Sequence, residues 1–428
     1  MNMRNRVRWP AAALAAFSLA ATTGRVQASP RRTITVATFP DLDRCAKAAL
    51  APWAQERPEV EVKITSLQYA DHHTAMTTVL ATGSGVPDVM ALDFRFLGKF
   101  AESGGLTDLG AAPFHGRELA PRFVPYAFAQ CLNARGQQIA MPADIGPGTL
   151  LYRQDLLQRA GLAETDLTTS WASFIEAGRR LRSSTGAYLL ADAADVRDIL
   201  IRSGVQAGEG LYFDARGEVL VDTPRFHRAF EIGRQVRHAG LDARAVAWTN
   251  EWTAGFKHGR IATQMMGAWL AGHLKNWLAP QASGLWRSTT LPGGQVASYG
   301  GSFYAIPRLA PHKQDAWDFI RFLTVRRDIQ LQSLRVADAF PSLLEAHEDP
   351  LMNEPLPYLG GQRARQLWRE IARQVPAIPV NKDDAMATTV IREAFDAVVS
   401  EGRPIPQVLA EAKRLLERRT RRPGRVAR

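Results

Sequence analysis

The sequence predicts an α/β protein of two domains, and three observations carry that prediction. The first half alternates short apolar strands with helices, the pattern of a parallel sheet covered on both faces by helices. At 428 residues the chain is longer than one hydrophobic core serves. Short apolar segments also adjoin glycine- and tryptophan-bearing loops, Gly267-Ala-Trp269 and Gly300-Gly301. Loops at strand ends are where open α/β sheets bind ligands.

In chain order, Thr33–Thr38 alternates as a strand and Asp41–Gln55 reads as a helix. Val60–Ser66 is a second strand, and Asp71–Ala81 a helix stopped near Gly83. Val89–Leu92 is a short buried strand, followed by a helix over Phe94–Ser103 that ends at Gly104-Gly105. Pro142–Gly148 holds too much proline and glycine to continue an element and reads as a crossover between domains. Thr149–Tyr152 is the next strand and Gln154–Arg159 a helix closed by Gly161. Helices follow at Ser170–Ser183, Ala194–Arg202, Pro224–Ala239 and Asn250–Lys257. Then come a strand at Ile261–Met266, a strand at Phe303–Pro307, a helix at Lys313–Thr324, and a helical C-terminal third through Arg419.

The N-terminus reads as a secretory signal. Arg4, Arg6 and Arg8 precede the apolar run Pro10–Ala21, and Val26-Gln27-Ala28 is a small-residue cleavage site. No cysteine stands there to carry a lipid, and no later stretch is apolar for the ~20 residues a membrane span needs. The expected product is exported, soluble, periplasmic and not lipid-anchored.

The formal charge of +11 lies at the two ends of the chain. Residues 1–28 carry four arginines and 418–428 carry six, with no acid in either, which leaves 29–417 at +1. A near-neutral body has no footprint for nucleic acid, and the basic tail 418–428 is expected to be solvated and disordered. Cys45 and Cys131 are the only cysteines. An oxidising compartment permits a disulfide between them, but their spacing does not require one.

Five of the ten tryptophans, Trp248, Trp252, Trp269, Trp277 and Trp286, lie in or just before Phe256–Pro307. Large flat aromatics beside backbone that needs glycine suggest a cleft for a flat, hydroxylated molecule. The alternative is a set of core tryptophans and two turns.

The order of motifs resembles the extracellular solute-binding proteins of carbohydrate ABC importers, of the maltose-binding type. The pieces are Thr33–Phe39, then Gly83-Ser-Gly-Val-Pro-Asp-Val-Met-Ala-Leu-Asp93, and Ile139-Ala-Met-Pro-Ala-Asp144 with Leu151-Tyr-Arg-Gln-Asp-Leu-Leu157. Further on come Phe256-Lys-His-Gly-Arg-Ile-Ala262 with Gly267-Ala-Trp269, and Gly300-Gly-Ser-Phe-Tyr-Ala-Ile-Pro307 with Ala316-Trp-Asp-Phe-Ile320. The resemblance implies two Rossmann-like lobes of the periplasmic binding protein type II kind, joined by a hinge, with sugar bound between them. It places 29–143 and 296–346 in an N-terminal lobe, and 144–295 and 347–417 in a C-terminal lobe. It further implies a monomer that delivers its ligand to an ABC permease, with no cofactor, no metal and no chemistry on the sugar.

Sugar binding needs aromatic faces for the C–H side of a ring, and polar groups for its hydroxyls. Trp269 falls on the family's G-x-W position. Trp252 lies one helical turn after Trp248, and of the two Trp252 is the expected contact. Asp93 closes the third strand where the family places a ligand carboxylate, although an N-cap is an equally ordinary role for it. Arg95 follows it. Asp41 and Asp43 follow the first strand, Tyr69 the second, and Asp144 lies in the crossover near an acidic family position. Tyr299 precedes Gly300-Gly301, where Gly301 would let backbone approach a ligand. The chain departs from the family in lacking the lysine that some malto-oligosaccharide binders carry after the first strand. Its segment 203–223 offers Gly204, Gly208, Gly210 and Tyr212 where other members stack an aromatic.

Two alternatives stand beside this reading. The same fold would bind a polyol, a glycerol phosphate or a polyamine. A secreted glycosidase would need a carboxylate pair across the bond, and the chain carries no H-E-x-x-H, G-x-S-x-G, G-x-G-x-x-G or Walker signature. His72-His73 are adjacent on a helix and make a poor metal pair.

Overall fold

A computed structural model describes residues 31–206 and 208–420. The expected signal segment and residues 421–428 lie outside that range. Among the described residues eight strands are formed: β1 (Arg32–Thr38), β2 (Val60–Ser66), β3 (Val89–Asp93), β4 (Met141–Arg153), β5 (Thr263–Gly267), β6 (Trp286–Thr289), β7 (Ser298–Ala305) and β8 (Phe340–Pro341). They run in the order β2-β1-β3-β7-β4-β5, with β6 and β8 also on β4.

Only the first three strands fulfil the expectation of a parallel sheet. β1 lies parallel to β2 and β3, whereas β7 is antiparallel to β3 and β4, and β4 is antiparallel to β5, β6 and β8. The strand–helix alternation that predicts parallel pairing ends after β3. β7 enters from the other half of the chain and returns against its neighbours.

β4 also corrects the reading of Pro142–Gly148 as irregular chain. That segment is the first half of a 13-residue strand. Its N-terminal part pairs β7 and β8, its C-terminal part pairs β5 and β6, and the β7 register shifts at Pro142/Asp144 and again at Ile145/Pro147. Proline is tolerated in a strand where the ladder is already broken by a bulge. Gly146 is needed because a Cβ there would lie 2.0 Å from the Tyr299 carbonyl oxygen.

Cores form on either side of this strand. One packs Ile34, Val36 and Trp53 against Phe319 and Ile320. Another joins Phe174, Phe230 and Phe395. A third gathers Trp252, Phe256, Trp286 and Trp368 with Leu334 and Phe340. Cys45 and Cys131 are buried free thiols, so the structure does not join them. The helix Ile405–Thr420 carries residues 418–420 in regular form, which corrects the expectation that the basic tail is disordered from 418. Among the described residues no helix is long and apolar enough to cross a membrane.

Candidate functional site

The strand ends on the two sides of β4 bring most of the expected residues together. After β1, Asp41 takes a left-handed backbone conformation (φ 70°) and occupies the N-cap position of the helix Leu42–Ala48 without a side-chain cap bond. One carboxylate oxygen accepts from Arg44 Nη1 at 3.2 Å, and the other faces His273 Nδ1 at 3.8 Å. Non-glycine residues held there store strain, which clusters at functional sites.

After β3, Asp93 accepts from the Arg95 backbone N–H at 3.0 Å and so caps the helix Phe94–Glu102. The same oxygen accepts from Arg95 Nε at 3.2 Å. The Arg95 guanidinium lies 4.9 Å from the centre of the Tyr69 ring. A buried histidine fixes this group. His73 Nδ1 donates to the Tyr69 carbonyl at 2.7 Å while its Nε2 accepts the Asp93 backbone N–H at 3.1 Å. Burial pushes the imidazole down to about 4, so it stays neutral and can do both. His72 is likewise buried and bonds the Ala91 carbonyl, and the described residues contain no cluster of metal-ligating side chains. The Tyr69 hydroxyl is buried with no partner.

In the middle of β4, Asp144 accepts the Ser302 backbone N–H at 2.9 Å. Burial, with the nearby charges of Asp93 and Asp41, raises its carboxyl to about 6 against the lowering effect of the Ser302 bonds. Beside it β7 carries Gly300 (φ 102°) and Gly301 (φ 138°), conformations closed to L side chains. Gly301 is buried opposite Ile145 in the β4–β7 ladder. It therefore shapes the strand that holds Ser302 on Asp144, instead of presenting backbone to a ligand as expected.

Trp269 follows β5 and precedes the short helix Leu270–His273. Its Nε1–H donates to the Tyr299 carbonyl at 2.8 Å. A Cβ at Gly267, Gly300 or Gly146 would come within 2.2, 2.7 or 3.0 Å of that nitrogen. Three glycines thus clear the space in which the indole lies. Arg202 lies over the Tyr299 ring at 4.5 Å, and burial lifts the Tyr299 hydroxyl to about 12 against the charges of Arg202 and Arg95.

Two expected residues lie elsewhere. The Trp252 indole is 0% exposed and packs at right angles on Phe256, so it cannot present a face to a ligand. Trp248 is the exposed member of the pair, at 53%, stacked on Trp269 with centroids 6.0 Å apart and planes at 19°. A spacing of four places both on one helix face only if both are helical, and Trp248 lies before the helix Asn250–Lys257 in a left-handed conformation (φ 73°). Asp43 is buried in the first helical turn and paired to Lys47 at 2.6 Å. Replacing Trp248 by glycine is expected to shift folding stability by less than about 1 kcal/mol, because relief of backbone strain offsets the lost stack. Urea unfolding measures this, and a loss above about 2 kcal/mol would place Trp248 in the core.

His273 and Arg202 were not singled out from the sequence. His273 stands four residues after Trp269 and four before Trp277, a spacing that was available to find it. Arg202 ends the helix Ala193–Arg202 and is buried between the rings of Phe94 and Tyr299, which no local pattern signals. Tyr212 is buried and bonds Thr388, so it offers no stacking face. A groove of about 510 Å³ between the last two helices lies away from this cluster, and the Arg403–Glu411 ion pair lines it.

The arrangement combines an indole that can stack on a flat apolar face with carboxylates that can accept from hydroxyls. Residues 40–327 match the family described as bacterial extracellular solute-binding protein. Among solved structures, one described as extracellular solute-binding protein family 1 is 23% identical with TM-score 0.79, covering 90% of this chain and 99% of its own. A binding protein of B. animalis subsp. lactis in complex with beta-1,6-galactobiose is 21% identical with TM-score 0.73, covering 90% and 97%. The galacto-N-biose/lacto-N-biose I-binding protein of Bifidobacterium longum, in complex with lacto-N-biose, is 16% identical with TM-score 0.75, covering 92% and 97%. At these identities the structural likeness establishes the shared fold.

Proposed function

Because the chain belongs to the bacterial extracellular solute-binding protein family, non-catalytic binding proteins of ABC transporters, we propose that its solute is a neutral sugar. The sugar is held between Trp269 and the carboxylates of Asp41, Asp93 and Asp144, and is passed to an import permease from the periplasm. The observation that carries this reading is the Trp269 indole, seated among Gly146, Gly267 and Gly300 and tied to Tyr299. An indole face suits the C–H side of a sugar ring. The carboxylates accept its hydroxyls, and a polar group left unpaired there costs about 1–3 kcal/mol, which gives selectivity.

Charge pairing favours a neutral ligand over the polyamine or glycerol phosphate alternatives. Asp41 is matched by Arg44 and Asp93 by Arg95, so a cation would compete for occupied carboxylates and a phosphate for occupied guanidinium groups. Lobes comprising 29–143 with 296–346 and 144–295 with 347–417 would close about β4 and β7, the hinge movement of periplasmic binding proteins.

Thermal unfolding of the full chain against neutral sugars, polyols, glycerol phosphates and polyamines tests the reading. Ligand at 100 times its Kd adds about 2.7 kcal/mol of stability, enough to raise the midpoint visibly. A neutral sugar is expected to do so equally at low and high salt. A shift confined to charged ligands that fades with salt would overturn the sugar reading and keep the family.

A further inference from the structure

We propose that the C-terminal end of the chain is a docking surface for the anionic head groups of a phospholipid membrane, made by the basic face of the helix Ile405–Thr420 with the arginines that follow it. This surface lies away from the sugar site and stands or falls separately from it.

The charge is concentrated and unmatched. From Arg403 to Arg428 the sequence holds nine basic residues against two acids, Glu411 and Glu417. Arg414, Arg418 and Arg419 are exposed. Among the described residues Arg403 is the one member of this set with an ion-pair partner, Glu411 at 2.8 Å, and Lys413, Arg414, Arg418 and Arg419 have none. The residues outside the described range carry no aspartate or glutamate that would neutralise them. Several arginines elsewhere on the surface do meet acids, as Arg122 meets Glu345, Arg326 meets Asp328 and Arg373 meets Glu348.

The local shape suits an amphiphilic surface. Arg414 and Arg418, four positions apart, share one face of the helix and line the groove of about 510 Å³ between the last two helices. Val390, Ala394 and Leu415 give that groove apolar walls. Arginine stems can lie along such walls while their guanidinium groups reach outward to phosphodiesters, which they match in pairs of hydrogen bonds. The helix's own apolar side, with Ile405, Leu409 and Leu416, is already buried in the core. Contact is therefore made by charge at the membrane surface, without insertion.

Charge alone would also suit a nucleic acid. Residues 403–428 contain no aromatic side chain on which a base could stack, whereas a head-group surface needs none. Each basic side chain near an anionic bilayer strengthens binding by about fivefold, so several together hold the protein reversibly. Held there, it meets a membrane permease at a raised local concentration.

Co-sedimentation with vesicles tests the proposal. The chain from Ser29 onward is used, which keeps every described element and omits the expected signal. Vesicles of phosphatidylglycerol and phosphatidylethanolamine should bind it at least about tenfold more tightly than phosphatidylcholine vesicles at about 50 mM salt, and release it at about 500 mM. Replacing Arg414, Arg418 and Arg419 together by glutamine should weaken binding by about tenfold or more, as should ending the chain at Thr420, while lysine at the same three positions should keep it within about threefold. The thermal midpoints of these variants should match the parent's, since the replaced side chains are exposed. Equal binding to neutral vesicles, binding that survives high salt, or a glutamine or shortened variant that binds like the parent overturns the proposal. Capture of duplex DNA of about 30 base pairs at about 150 mM salt, with the anionic vesicles left free, overturns it in favour of nucleic acid.

Discussion

Trp269→Ala is expected to weaken binding of the cognate sugar by roughly 100-fold or more, about 2.7 kcal/mol, because one aromatic anchor commonly dominates a small site. It should also lower folding stability, by about 2–4 kcal/mol. The two losses share one cause. The indole fills a space bounded by Gly146, Gly267 and Gly300, and glycines have no side chains with which to collapse into the cavity that alanine leaves. The ring is partly exposed, which places the stability loss below that of a fully buried tryptophan. Alanine also strips the Tyr299 carbonyl of its donor. Trp269→Phe separates the effects: it keeps an aromatic face, restores much of the volume, and loses the hydrogen bond, at about 1 kcal/mol. Urea unfolding and titration of both variants read the two quantities independently. If Trp269→Ala bound the sugar within about threefold of the parent, the site would have to be placed elsewhere.

Elements governed by local patterning were legible in the sequence. Val60–Ser66, Gln154–Arg159 and Asn250–Lys257 form with the predicted bounds, because alternation, capping residues and a following glycine act over a few residues. β4 was misread because proline and glycine ordinarily break strands, whereas here Gly146 admits the Tyr299 carbonyl and the prolines sit where the ladder is already irregular. Both causes are contacts with β7, more than 150 positions away.

The site divides in the same way. Trp269 and Asp93 stand beside the strand ends to which their motifs assign them. Trp248 was passed over for Trp252 because the choice turns on one backbone angle, φ 73° at Trp248, which spacing does not encode. Asp93 shows that capping and site placement coexist: one oxygen accepts both the Arg95 backbone N–H and its side chain. Arg202 was invisible because its two partner rings, Phe94 and Tyr299, come from separate parts of the chain.

Asp144→Asn is expected to raise the stability of the ligand-free protein while weakening sugar binding by roughly 10- to 100-fold, the worth of a hydrogen bond to a charged group. The carboxyl is raised to about 6 by burial, with Asp93 and Asp41 adding to it, against an ordinary value near 4. Between those values the folded state binds more proton than the unfolded state. Stability from this group is therefore full below about pH 4, falls as pH rises through about 6, and stays low above it. At neutral pH the parent carries a disfavoured buried charge and the amide does not, so the variant should gain about 1–2 kcal/mol there. Asparagine can still accept the Ser302 N–H, but its amide nitrogen offers a hydroxyl a donor where the carboxylate offered an acceptor. Binding should titrate in the opposite sense to stability. A sugar hydroxyl donates to the ionised form, so parent affinity is expected to fall by up to about tenfold per unit below pH 6, a slope absent from Asp144→Asn. Asp384, raised to about 7 by burial, and His273, held down by burial, also titrate but are common to both proteins, so the difference between the two curves isolates Asp144. Parent affinity that stayed flat between about pH 5 and 7.5 would remove this carboxylate from the ligand's partners and leave it as a strained structural acid behind Ser302.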